Sequence, residues 1–174
     1  TAHHNAALPF TRFVVGPADY TPLGFSNPGP TTYAHQLATL VLFTSPLQVI
    51  AENPDVLLNN TNIQPALDVL KAVPSVWDET RVLAPSKIGE LAIMARRSGT
   101  TWFLAAINGG KQPVTLADVD LSFLGKDSYN AIYLSSDGPS QFSRKERQAV
   151  NASTPLSVSL NLGDGFVARF QPAD

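Results

Sequence analysis

The sequence predicts two units of different class, an α/β segment over residues 1 to about 75 and an antiparallel β-sandwich over the rest of the 174 residues. Three observations carry this. One strand-like stretch, TRFVVG (11–16), precedes a proline-rich loop and then helical periodicity. Beyond residue 76, strand-like segments recur at roughly ten-residue intervals, the rhythm of an all-β sandwich. Turn signals separate them at Ser98-Gly99, Asn108-Gly109-Gly110, Asp137-Gly138-Pro139 and Gly163-Asp164-Gly165.

Taken in order, Phe13, Val14 and Val15 are apolar in succession. Successive strand side chains point to opposite faces, so this predicts a strand buried on both. Gly16-Pro17 ends it. PADYTPLGFSNPGPT (17–31) carries Pro17, Pro22, Pro28 and Pro30, and a loop of this length within a compact domain is commonly functional. Thr31 or Thr32 is placed to cap a helix through its hydroxyl. Leu37, Leu40 and Val41 share a helical face, and Ser45-Pro46 interrupts the helix. A second amphipathic helix is predicted over IQPALDVLKA (63–72), before Pro74. Strand, loop, helix is the β-to-α half of a parallel unit. A lone strand of that kind needs partner strands from elsewhere.

The strands expected next are 75–83, 90–97, 101–108, 113–119, 129–135, 147–151, 155–162 and 165–171. The alternation is clearest in PLSVSLNL, where Leu156, Val158, Leu160 and Leu162 interleave with Ser157, Ser159 and Asn161. One face is core and the other is wet.

Composition narrows the function. Apolar residues make up 44% and charged residues 15%, a globular balance. The net charge is −2, and the basic runs Arg96-Arg97 and Arg144-Lys145-Glu146-Arg147 are too small a footprint for nucleic acid. Without cysteine there is neither a disulfide framework nor a thiolate metal site. The apolar run LATLVLF (37–43) is far too short to cross a bilayer. No signal-peptide pattern is present, and the first residue is not methionine. Together with the lone strand, this makes a piece of a longer protein the expectation.

Candidate chemistry is sparse. His3 and His4 are adjacent, so in an extended segment they diverge and make a poor metal pair; structural roles are favoured. Asp19 follows the carboxyl end of the expected strand, where α/β folds bind ligands, although Pro-x-Asp-Tyr-x-Pro is equally a self-bonding turn. Asp78 and Glu79 diverge along a strand, so they are no facing acid–base pair, and Glu79 suits an ion pair with Arg81. Neither a G-x-S-x-G nucleophile nor a phosphate-binding glycine pattern occurs. Trp102, Phe103, Tyr129 and Tyr133 read as core or cross-strand residues ahead of a sugar platform.

The blocks HNAALPFTRFVVGPADYTP, TTYAHQLATLVLFTSPLQVI and PALDVLKAVPSVWDETRVL resemble, in this order, the C-terminal part of glycoside hydrolase family 97. The resemblance continues through GELAIMARRSGTTWFLAAING and DLSFLGKDSYNAIYLSSDG. It implies the last β/α unit of a (β/α)8 catalytic barrel over 1–82 and a C-terminal β-sandwich over 83–174. It also implies a parent α-glucosidase or α-galactosidase, periplasmic or secreted in a bacterium, that acts on oligosaccharides, holds calcium and oligomerises through the sandwich. Catalytic carboxylates and calcium ligands of the family match no position here, so this part is expected to carry no catalytic residue, metal or cofactor and to be inactive alone. Asp19, Tyr20 and His4 are the substrate-adjacent candidates. The alternative is a non-catalytic carbohydrate-binding or subunit-contact sandwich. Where many relatives read GPMDYTPG, this chain has Ala18 and Leu23.

Overall fold

The computed structural model describes residues 1–173. Eight strands form: β1 (Glu79–Val82), β2 (Leu91–Ser98), β3 (Thr101–Asn108), β4 (Val114–Leu116), β5 (Tyr129–Ser136), β6 (Phe142–Val150), β7 (Val158–Leu160) and β8 (Gly165–Pro172). A six-stranded antiparallel sheet runs in the order β1-β2-β3-β8-β5-β6, and β4 pairs with β7 as a small second sheet.

The large sheet is covered on both faces, so its central strands are nearly continuous apolar runs. Ile93, Trp102, Leu104 and Phe170 pack toward β4 and β7. Met94, Phe103, Ile107 and Val167 pack toward a layer of helices. That layer holds α1 (Ala2–Ala7), α2 (Arg12–Val15), α3 (Tyr33–Leu42), α4 (Pro54–Asn59) and α5 (Leu67–Ala72). β1, which a division at residue 82 would give to the first unit, pairs along its whole length with β2.

α3 is the element that joins the layers. Thr32 caps it, its hydroxyl accepting from the His35 N–H at 3.1 Å. The helix lies directly on β8 at Gly165, where an added Cβ would sit 2.5 Å from His35 Cα. Only glycine permits that approach. At the other end of α3, Arg96 from β2 donates to the carbonyls of Val41 (2.8 Å) and Phe43 (3.3 Å) and to the Thr44 hydroxyl (3.2 Å). It also stacks over Trp77 at 4.9 Å. Burial lowers the Arg96 pKa to about 10, which leaves it charged at neutral pH. A fixed cation is thus set against orphan carbonyls at the negative end of the helix. Arg96→Met is expected to lower stability by about 2 kcal/mol, read as a lower urea midpoint at unchanged slope.

Residues 11–16 are corrected. They form no strand: Arg12–Val15 is a single helical turn, and Val14 and Val15 are 73% and 88% exposed. A strand without neighbours leaves its backbone groups unpaired, so local bonds such as Val14 N–H to Thr11 O at 3.3 Å replace the ladder. The expected parallel pairing is reduced to one bridge, Tyr20 with Gln48. The barrel strand expected at 11–16 is thus absent, and this stretch is helix and loop. His3 and His4 are likewise not extended but helical, on α1, whose cap is Thr1.

β6 begins earlier than its apolar end predicts. The residues before the expected 147–151, Arg144–Glu146 among them, resemble a polar loop in sequence but belong to an edge strand whose charges face water.

Candidate functional site

The loop after α2 is pinned to the segment after α3. Ala18 N–H donates to Thr44 O (3.1 Å) and Ala51 N–H to Pro22 O (2.8 Å). Glu52 accepts from Ser26 N–H (2.5 Å), the Ser26 hydroxyl (2.8 Å) and Asn53 N–H (2.9 Å). Burial works to raise its pKa, but these three bonds outweigh it and the carboxyl is lowered.

Within this loop Tyr20 is half-buried. Its ring meets Phe43 edge-on at 4.8 Å and its hydroxyl bonds the Thr39 hydroxyl at 2.8 Å. Burial raises its pKa against that hydrogen bond, so it stays a phenol. Asp19, next to it, is exposed. His4 is also exposed, but on α1, which packs on β2 and β3. Among the described residues no hydrogen bond or ion pair joins His4 to Asp19 or Tyr20. Asp19 and Tyr20 lie together in the loop, and His4 lies on α1.

Leu23 is fully buried yet has φ 66°. It occupies the place where the GPMDYTPG pattern has its final glycine. The left-handed backbone costs a side-chain-bearing residue about 1–2 kcal/mol, which burial of the leucine offsets by about 2 kcal/mol.

A cavity of about 680 Å³ opens between α1 and the β3–β4 turn, lined by His3, Leu91, Asn108, Lys111 and Val114 among others. None of Asp19, Tyr20 or His4 lines it. Among the described residues no group of three or more His, Asp or Glu side chains is placed to hold a metal ion. The two neighbouring acids are held as ion-pair and turn partners. Glu79 bonds Arg81 (2.7 Å) and Arg97 (3.3 Å), and Asp78 accepts from Gly99 N–H (2.7 Å). Three of the four aromatics considered for a sugar platform are in the core, with Trp102 4%, Phe103 1% and Tyr129 5% exposed, and Tyr133 is partly buried against it.

Sequence reasoning missed the buried polar centre. Asp164 was legible only as part of a glycine turn, yet its carboxylate is buried. It accepts from the Ser136 hydroxyl (2.6 Å), the Thr32 hydroxyl (2.8 Å) and Gly165 N–H (2.8 Å). His35, fully buried on α3, pairs its Nε2 with the Asn5 amide nitrogen at 2.9 Å. Asp164 joins the helical layer to the sheet, and the Asn5–His35 bond joins α1 to α3.

Residues 76–171 match the family model described as "Glycosyl-hydrolase 97 C-terminal, oligomerisation". The chain belongs to that family. This family 97 C-terminal chain is 36% identical over 172 residues to a probable retaining alpha-galactosidase of Streptomyces bingchenggensis, covering 97% of this chain and 26% of that protein. It is 30% identical to a retaining alpha-galactosidase of Bacteroides thetaiotaomicron, over 97% of this chain and 27% of that one. In structure it matches a Glycoside Hydrolase Family 97 enzyme from Pseudoalteromonas sp. strain K8 in complex with panose, with a TM-score of 0.87 and 28% identity, covering 99% of this chain and 29% of that one. A beta-arabinopyranosidase matches with a TM-score of 0.82 and 29% identity, over 97% of this chain and 27% of that one. The chain spans about a quarter of the length of the curated relatives it matches.

Proposed function

We propose that this chain is the C-terminal part of a family 97 glycoside hydrolase that cleaves α-glycosidic bonds with retention, and that it contributes packing and oligomerisation but no catalytic group. The observation that carries this is the extent of the match. The two α-galactosidases align with 97% of this chain while it covers only 26% and 27% of them. Residues 1–82 are read as the end of the catalytic barrel and 83–174 as the C-terminal sandwich. In support, the helical layer leaves Val14, Val15, Leu47 (65%) and Val49 (58%) exposed, an apolar surface that further barrel elements would cover. Asp19 and Tyr20 are placed beside that surface and are read as bordering the sugar site. The parent is read as periplasmic or secreted. Calcium, which the resemblance implies for the parent, is read as held by other parts of it. A sugar-binding sandwich is the weaker reading, because three of the four aromatics that would stack on sugar are buried.

Purified 174-residue chain is expected to release no nitrophenol from nitrophenyl α-galactoside or α-glucoside, whereas the parent enzyme turns over at least one of them. Hydrolysis by the chain itself, surviving repurification and altered by a point substitution in it, would overturn this reading. Maltooligosaccharides are expected to leave its tryptophan fluorescence unchanged.

A further inference from the structure

The large sheet has two open edges, β1 and β6, and they differ in kind. β6 carries Arg144, Lys145, Glu146 and Arg147, a register shift toward β5 and a left-handed Ala149 (φ 55°). Charge and irregularity of this sort block edge-to-edge pairing. β1 has only Glu79, Thr80, Arg81 and Val82, and the last three are exposed. Of the exposed large apolar residues after residue 75, Val82 (55%) lies in β1 and Val76 (65%) three residues before it, while Ile88 and Leu162 lie elsewhere.

The backbone of β1 is presented outward. Leu83 N–H donates to Ile93 O at 3.0 Å, which turns Leu83 toward β2. By the two-residue alternation of a strand, Arg81 also faces β2, and Thr80 and Val82 aim their N–H and C=O groups away from it. The side chains on this edge are self-complementary. In an antiparallel pairing centred on Thr80, Glu79 of one copy stands opposite Arg81 of the other, twice over. Their side chains are 32% and 47% exposed in the single chain, and each copy keeps its own Glu79–Arg81 contact at 2.7 Å.

We propose that a second copy of this chain adds to the outer edge of β1, antiparallel and with the two-fold axis at Thr80, joining two six-stranded sheets into one. This rests on the oligomerisation reading of residues 76–171 and gives it a surface, a register and a charge pattern. Main-chain bonds from Thr80 supply the attraction, and the crossed Glu79–Arg81 pairs set the register.

Light scattering coupled to size exclusion on the 174-residue chain tests this, with an expected mass of twice 18.6 kDa. Thr80→Pro deletes the outward N–H, and with it the hydroxyl that the valine control below also lacks, but spares the β1–β2 ladder, and is expected to give a folded species of 18.6 kDa. Thr80→Val keeps the N–H and loses only the hydroxyl that Arg96 bonds, so it stays dimeric. Glu79→Arg sets like charges opposite one another and raises the dissociation constant at least about tenfold. The double exchange Glu79→Arg with Arg81→Glu restores it. Near-ultraviolet circular dichroism checks the fold of each variant, and if Thr80→Pro fails to fold the charge exchange carries the test. A wild-type chain that runs at 18.6 kDa at every concentration overturns the proposal. So does a folded Thr80→Pro that keeps the doubled mass, or a double exchange that fails to restore it. The glycosidase reading is judged separately, by hydrolysis in the parent, and survives each of these results.

Discussion

Asp164→Ala is expected to lower the unfolding free energy by about 4 kcal/mol, the largest single-residue effect in the molecule. The carboxylate is 6% exposed and accepts hydrogen bonds from three separate parts of the chain. Ser136 lies on β5, Thr32 caps α3, and Gly165 opens β8. The two hydroxyls can turn to other acceptors after truncation, but the Gly165 N–H is buried and fixed in place. An orphaned donor of this kind costs about 1–3 kcal/mol, and the lost bonds to a charged acceptor add to it. Asp164→Asn keeps one acceptor oxygen and is expected to recover about half of the loss. Urea unfolding followed by far-ultraviolet circular dichroism measures both variants. A loss under 1 kcal/mol for alanine would mean that the layers are held together elsewhere.

Acid is expected to weaken the chain by about 3 kcal/mol between pH 6.5 and 4. The cause is His35. Burial lowers its pKa from 6.5 to about 4, against an opposing pull from Asp164. Between those values the unfolded chain takes up a proton that the native chain refuses. The unfolded state then binds more protons, so stability rises with pH across the window. It is fully present above 6.5 and is lost as pH falls through about 4. Glu52, Asp68 and Glu79 are all lowered as well, so their losses begin only at the acid end of this window and fall mostly below it. His35→Gln is expected to flatten the dependence between pH 7 and 4.5, at some cost in stability at neutral pH. An unchanged slope in the glutamine variant would assign the effect to other groups.

Much of the sandwich was legible in the sequence because its determinants are local. The glycine turns and the apolar runs of β2 and β3 announce strands whatever surrounds them, whereas the alternation over 155–162 yields only the three-residue β7, with Leu162 exposed. The cap at Thr32 and the helical face of Leu37, Leu40 and Val41 are equally local. TRFVVG was misread for the opposite reason. Its composition suits a buried strand, but a strand needs an adjacent backbone, and among the described residues there is none to pair with it. β6 was truncated because an edge strand tolerates charges that read as loop. Asp164 and His35 could not have been singled out: each bonds partners far away in sequence, Thr32 to Asp164 and Asn5 to His35, and burial alone gives them their importance. For the same reason Asp19 and Tyr20, adjacent in sequence, stayed together, while His4 separated from them on α1.

Nine of the ten residues of α3 are buried, all but Gln36, because the sheet lies on one side of the helix and the loops on the other. The family match, by contrast, starts at residue 76. A portable module cut at that boundary would carry the sheet without the helix that lies on Gly165 and receives Arg96. It would present Met94, Phe103 and Val167 to water and leave a buried guanidinium without the carbonyls it faces. An exchange of C-terminal domains between family members should therefore take its seam upstream of Thr32, so that helix and sheet travel together.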